Sequence, residues 1–208
     1  MKKSLLIGII GLTAGVVSSY GQGYINLDNY FTNNGSAGPG FILYGPNVFA
    51  NGVSGALGTL NGKIGAGWTV GIYFVGGTQS IVDPAGSGIP NAALALGTGT
   101  GSSTTSFFSS TAGTFSAAQA WNSGSVLNTT ITAEIVAFDT AGGTYANAGF
   151  RGHSAPFSMP TALFTAPSKP GVGDFFTSFQ VLQVPEPTTL ALAGLGSLSL
   201  LLFRRKQA

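Results

Sequence analysis

The chain has 208 residues, with 33 Gly, 10 Pro and no Cys, and only 7% of its side chains carry charge. That composition excludes a charge-rich disordered protein, a disulfide scaffold and any thiolate metal site. It also excludes a nucleic-acid binder, which needs clustered Lys and Arg to neutralise phosphates. The formal charge of +2 belongs to the ends, where Lys2, Lys3, Arg204, Arg205 and Lys206 lie. Between Tyr24 and Val184, Lys63, Arg151 and Lys169 face Asp28, Asp83, Glu134, Asp139 and Asp174, so the body is mildly acidic.

Residues 1–23 read as a secretory signal peptide addressed to the translocon. Lys2 and Lys3 form the positive start, and Leu5 to Val17 supplies a short apolar run. Ser19 with Gly21, and Gly21 with Gly23, each place small residues before a cleavage point, so the mature chain starts between Gln22 and Tyr24. The apolar run is shorter than the roughly 18 residues of a spanning helix, which favours cleavage over anchoring.

Residues 24–184 read as one all-β, Gly-rich domain, a β-sandwich or jelly roll. Ile25 and Leu27 alternate with Asn26 and Asp28, and Phe41 to Tyr44 is a short apolar run between turn residues. Trp68, Val70, Ile72 and Phe74 share one strand face, with Thr69, Gly71 and Tyr73 on the other. The stretch from Gly86 to Gly113 contains GTGTGSSTTS and predicts a long surface loop. Ser116 to Trp121 hints at a helical turn, with Trp121 the more exposed of the two tryptophans. Ile131, Ala133, Ile135 and Ala137 oppose Thr132, Glu134, Val136 and Phe138, which places Glu134 on a solvent-facing strand position. Phe175 to Val184 is the last candidate strand.

Chemistry-bearing patterns are sparse. Gly97 to Ser102 lacks the Gly-Lys-Ser/Thr ending of a phosphate loop. His153 is the only His. With Asp139 or Asp174 and a Ser it makes a nucleophile triad arithmetically possible, but there is no G-x-S-x-G elbow, and a turn residue at the start of a strand is the simpler reading. The spacing of the five body carboxylates favours no acid–nucleophile pair. Asp28-Asn29 and Asp139 lack the D-x-D-x-D-G loop of a calcium site. No catalytic residue, cofactor or metal is therefore expected. Tyr24, Tyr30, Tyr44, Trp68, Tyr73, Trp121 and Tyr145 are candidates for sugar stacking or for core packing.

The C-terminus, residues 185–208, is the most specific part. Pro185-Glu186-Pro187 precedes sixteen apolar or small residues, Thr188 to Phe203, and then Arg204, Arg205 and Lys206. At about 1.5 Å per residue this helix reaches roughly 24 Å, short of the hydrocarbon layer of about 30 Å, so the basic side chains extend it by snorkelling. Positive-inside logic puts those three in the cytoplasm and the body outside.

This ordered tail resembles the PEP-CTERM sorting domain of Gram-negative, biofilm-forming bacteria. The resemblance implies that exosortase, a multi-spanning membrane enzyme, recognises Pro185, Glu186 and Pro187, with this chain as its substrate. It further implies export across the inner membrane, transient anchoring, and delivery to the envelope or extracellular matrix. The body is similar to a group of uncharacterised PEP-CTERM proteins with a late segment like Gly142-Gly143-Thr144-Tyr145 followed by Arg151-Gly152-His153-Ser154. The expected role is structural or adhesive and non-enzymatic; the alternative is a carbohydrate-binding domain acting on exopolysaccharide.

Overall fold

The computed structural model describes residues 22–29, 40–97, 104–106, 112–117, 119–126, 129–163 and 169–184. The signal segment before Gln22, the tripeptide at 185–187, the apolar segment 188–203 and the basic cluster lie outside them. Among the described residues no helix is long and apolar enough to cross a membrane.

Short apolar runs punctuated by Gly and Asn give ten strands among the described residues. They are β1 (Gln22–Ile25), β2 (Ile42–Tyr44), β3 (Trp68–Gly76), β4 (Ala95–Leu96), β5 (Thr104–Ser106), β6 (Trp121–Val126), β7 (Thr130–Asp139), β8 (Phe150–His153), β9 (Phe157–Pro160) and β10 (Phe179–Gln183). The centre is the antiparallel pair β3 and β7, in register from Trp68 opposite Asp139 to Gly76 opposite Ile131. Around it an eight-stranded sheet runs β2-β10-β8-β7-β3-β4, with β5 also on β3 and β9 also on β7. β2 and β10 are parallel. β1 and β6 form a separate antiparallel ribbon.

One face of the large sheet makes the main core. Trp68, Val70 and Ile72 of β3 join Ile131, Ala133, Ile135 and Ala137 of β7, as the period-2 alternation predicts. Ile25 and Trp121 from the ribbon complete the same cluster, so the protein is all-β with two unequal layers. Trp121 opens strand β6 opposite Ile25 and is 0% exposed. This corrects both the helical turn and the exposed tryptophan. Pairing with β1 turns the indole inward, where it meets the Phe74 ring edge-on at 4.7 Å.

The other face is covered too. Val136 and Phe138 of β7 pack with Tyr145, Ala148 and Tyr73. Asp139 caps the 3-10 turn at Thr140–Gly142, accepting from the Gly142 amide at 2.7 Å and from the Phe150 amide at 3.0 Å. The turn ends on Gly143 at φ +74°, a left-handed conformation that suits glycine. The expected surface loop from Gly86 to Gly113 is instead partly built into the sheet, because β4 and β5 within it both pair with β3.

Candidate functional site

The covering of that second face brings together residues far apart in the chain. On β7, Glu134 lies two residues from Val136, which sits opposite His153 of β8. Glu134 and His153 are therefore diagonal neighbours on one face. Over them runs the segment Asp83–Asn91, here called the strap. Gly86 exchanges two backbone hydrogen bonds with His153, at 3.2 and 2.7 Å. The Arg151 Nε donates to the Ser87 carbonyl at 2.8 Å, and its Nη1 donates to the carbonyls of Tyr145 and Ala146. The Tyr145 hydroxyl donates to the Gly88 carbonyl at 2.9 Å.

Each residue of the late motif thus has a local reason. Arg151 ties the strap and the 140–148 segment together through carbonyl oxygens. Gly152 lets β8 approach β10, since a Cβ there would run into the Gln180 carbonyl. His153 ends the strand beneath the strap. The Ser154 hydroxyl accepts the Ile135 amide at 3.0 Å, and the Ser154 amide donates to the Ile135 carbonyl.

The strap overturns two expectations. Glu134 is not at a solvent-facing position: it is 0% exposed. His153 is not a turn residue at the start of a strand: it is 2% exposed and closes β8. Alternation identified the face correctly, but the strap covers it. His153 Nδ1 stands 3.5 Å from Glu134 Oε2 and 3.0 Å from the Ser154 carbonyl oxygen. One ring nitrogen of His153 and one carboxylate oxygen each of Glu134 and half-buried Asp83 lie within 4.8 Å of one another. Neither oxygen of Glu134 has a hydrogen-bond partner. No fixed spacing announces such a cluster, so sequence reasoning saw no ligand set.

Burial, and then the nearby Asp83 charge, push the Glu134 carboxyl up to about 7; the Asn91 backbone amide offsets part of this without closing a hydrogen bond. A carboxyl raised on folding makes the folded state favour its protonated form. Its benefit is complete below the ordinary value of 4.5 and is lost as pH rises through about 7. The shift corresponds to roughly 3 kcal/mol. The charged and titratable neighbours are Asp83 on the strap, His153 and Arg151 on β8, and Tyr145. We expect Glu134→Gln, in chelator, to match the wild type near pH 4.5 and to exceed its stability by that amount at pH 8. Thermal melting across this range checks it, and parallel curves for the two proteins would contradict it.

Of the other singled-out residues, Tyr30 lies outside the described residues. Asp139 is a turn cap. The Asn29 amide donates to the carbonyls of Gly40 and Gly113, and its oxygen accepts from Phe115, so the Asp28-Asn29 pair knots three loops. Trp68 and Tyr44 both donate to the Ala50 carbonyl. Next to the strap, Tyr73, Leu96, Val136, Phe138 and Tyr145 line an apolar hollow of about 160 Å³.

β10 is the last strand among the described residues. Residues 183–206 match the family model of the PEP-CTERM protein-sorting motif, so the chain carries that motif at its C-terminus. The motif implies export, transient membrane anchoring and recognition by exosortase as a substrate. The match takes in the tail and not the body. No curated protein and no solved structure matches the chain.

Proposed function

We propose that the chain is a non-enzymatic surface or matrix protein, structural or adhesive in role, whose signal peptide starts export and whose PEP-CTERM tail completes its sorting. The observation that carries this reading is how closely body and tail are joined. The motif begins at Gln183, the last residue of β10, and the Val184 amide still donates to the Gly149 carbonyl at 2.9 Å. The tail therefore presents a folded domain directly, with no linker between the last strand and the tripeptide. The burial of Glu134 and His153 beneath the strap supports a non-enzymatic body, since a substrate would have to displace the strap to reach them.

The position of β1 supports the earlier of the two signal cuts. β1 starts at Gln22, and the Gly23 carbonyl accepts the Ser123 hydroxyl at 2.8 Å. A cut after Gly23 would remove half of β1, whereas a cut after Gly21 keeps it. N-terminal sequencing of the exported protein is expected to return Gln22; Met1 would contradict a cleaved signal.

The second reading, a domain that binds exopolysaccharide, is favoured by the hollow between Tyr73 and Tyr145, because aromatic faces pack well on sugar rings. A glycan array that includes the producer's own exopolysaccharide separates the two. The structural reading expects no saturable binding, together with weakened cell cohesion when the protein is deleted. Saturable binding that is lost in Tyr73→Ala would replace it with the carbohydrate-binding reading.

A further inference from the structure

We propose that Asp83, Glu134 and His153 form a site for a divalent transition-metal cation of the zinc class, which fastens the strap to the sheet. Two independent features lead there. The first is geometry: a ring nitrogen and two carboxylate oxygens converge within 4.8 Å, against the roughly 3.3 Å that separates ligand atoms around one tetrahedral ion. The second is Glu134 itself. It is wholly buried, both its oxygens lack hydrogen-bond partners, and it is aimed into the cluster. A buried ionisable group without partners is costly, and a cation is the kind of partner that removes the cost.

Charge supports the same conclusion. As metal ligands, two carboxylates bind as anions and an imidazole as a neutral donor, so the set offers a cation two negative charges. Arg151, on the same strand as His153, has its guanidinium on three carbonyl oxygens and makes no ion pair with either carboxylate. A dication balances the set. One imidazole with two carboxylates suits zinc and its first-row neighbours. It suits calcium and magnesium less, because they prefer all-oxygen sets, and it offers no thiolate for softer ions.

The surroundings are those of a built site. With Nδ1 donating to the Ser154 carbonyl at 3.0 Å, the imidazole is held in orientation and Nε2 is the nitrogen left to hold an ion, an arrangement common for metal-bound histidines. Gly86 and Gly88 of the strap pass close to Nε2, where a Cβ would come within 4.0 and 3.8 Å, so neither brings a side chain into that space. Asp83 comes from the strap and the other two ligands from β7 and β8, so one ion would tie a Gly- and Pro-containing segment to the central strands. In a chain without Cys, a metal supplies the cross-link that disulfides give other exported domains.

The test uses the full chain, purified in detergent, stripped with chelator and titrated with Zn²⁺ by calorimetry, with Mn²⁺ and Ca²⁺ in parallel. One equivalent of Zn²⁺ is expected to bind and to raise the melting temperature, with Ca²⁺ at least tenfold weaker. His153→Ala and Glu134→Gln are expected to weaken Zn²⁺ binding at least tenfold. Because those two positions are buried, Asp83→Asn on the half-buried strap is the deciding variant: it is expected to keep the wild-type circular dichroism and lose binding by the same factor. Asp174→Asn, on a separate 3-10 turn, is expected to bind like the wild type. Absence of Zn²⁺ binding to the folded wild type would overturn the site. So would undiminished binding by folded Asp83→Asn, and tighter binding of Ca²⁺ than of Zn²⁺ would overturn the assigned class.

Discussion

Trp121→Ala is expected to destabilise the body by roughly 3–5 kcal/mol, the usual cost of emptying a large aromatic site in a core. Trp121 is fully buried, sits opposite Ile25 in the ribbon, and meets Phe74 of the large sheet edge-on. With Ile25 it carries the two-stranded ribbon into the core of the eight-stranded sheet. An isolated two-stranded ribbon is marginal in water, so it depends on this contact. Removing the indole loses its buried area, its edge-to-face contact and the order of β1 together. Thermal melting of the exported protein should show a fall of roughly 10 °C. Trp121→Phe should recover part of it by keeping a ring against Phe74. A change below about 1 kcal/mol would mean that the ribbon is held by other contacts, and the two-layer account would fail.

Much of the main core was legible in the sequence. Trp68, Val70, Ile72 and Phe74 alternate without interruption, as do Ile131, Ala133, Ile135 and Ala137, and the structure pairs these two runs. What alternation could not say was what covers the other face. Glu134 reads as solvent-facing because its strand neighbours point the opposite way; its burial is decided by the strap and by the 140–148 segment. Neither segment has a hydrophobic period, and Asp83-Pro84-Ala85 leads into the Gly-rich stretch from Gly86 that reads as a surface loop. Trp121 was misread for a related reason. Asn122 and Ser123 beside it suggest a wet turn, yet both are buried, with the Ser123 hydroxyl on the Gly23 carbonyl. Their polarity is satisfied within the ribbon.

The candidate site was the least legible part. Asp83, Glu134 and His153 have no motif spacing, and only strand register combined with the strap's bonds to His153 unites them. One signal was present: Arg151-Gly152-His153-Ser154 concentrates a cation, a close-packing glycine, an imidazole and a hydroxyl in four residues, and each has a distinct local task. The tail was legible for the opposite reason. Its information is local and ordered, a tripeptide, an apolar segment and a basic end, and needs no fold to be read.

The largest functional effect is expected from replacing Pro185, Glu186 and Pro187 with Ala. β10 ends at Gln183 and Val184 makes the last described backbone bond, so the tripeptide starts where the sheet stops. Two prolines remove two backbone donors and bar the strand from continuing, and Pro187 keeps Glu186 away from helical geometry. The expected result is an extended segment between folded body and membrane, which a processing enzyme can grip. Three alanines would favour helix there and remove the carboxylate, while Thr188 to Phe203 stays apolar enough to anchor. The most direct measurement is membrane fractionation and mass analysis of the wild type and this variant, each with an epitope tag in the body, in a host that has exosortase. The account predicts that the wild type is shortened and leaves the inner membrane, while the variant stays there at full length. Equal mass and equal distribution of the two proteins would contradict it.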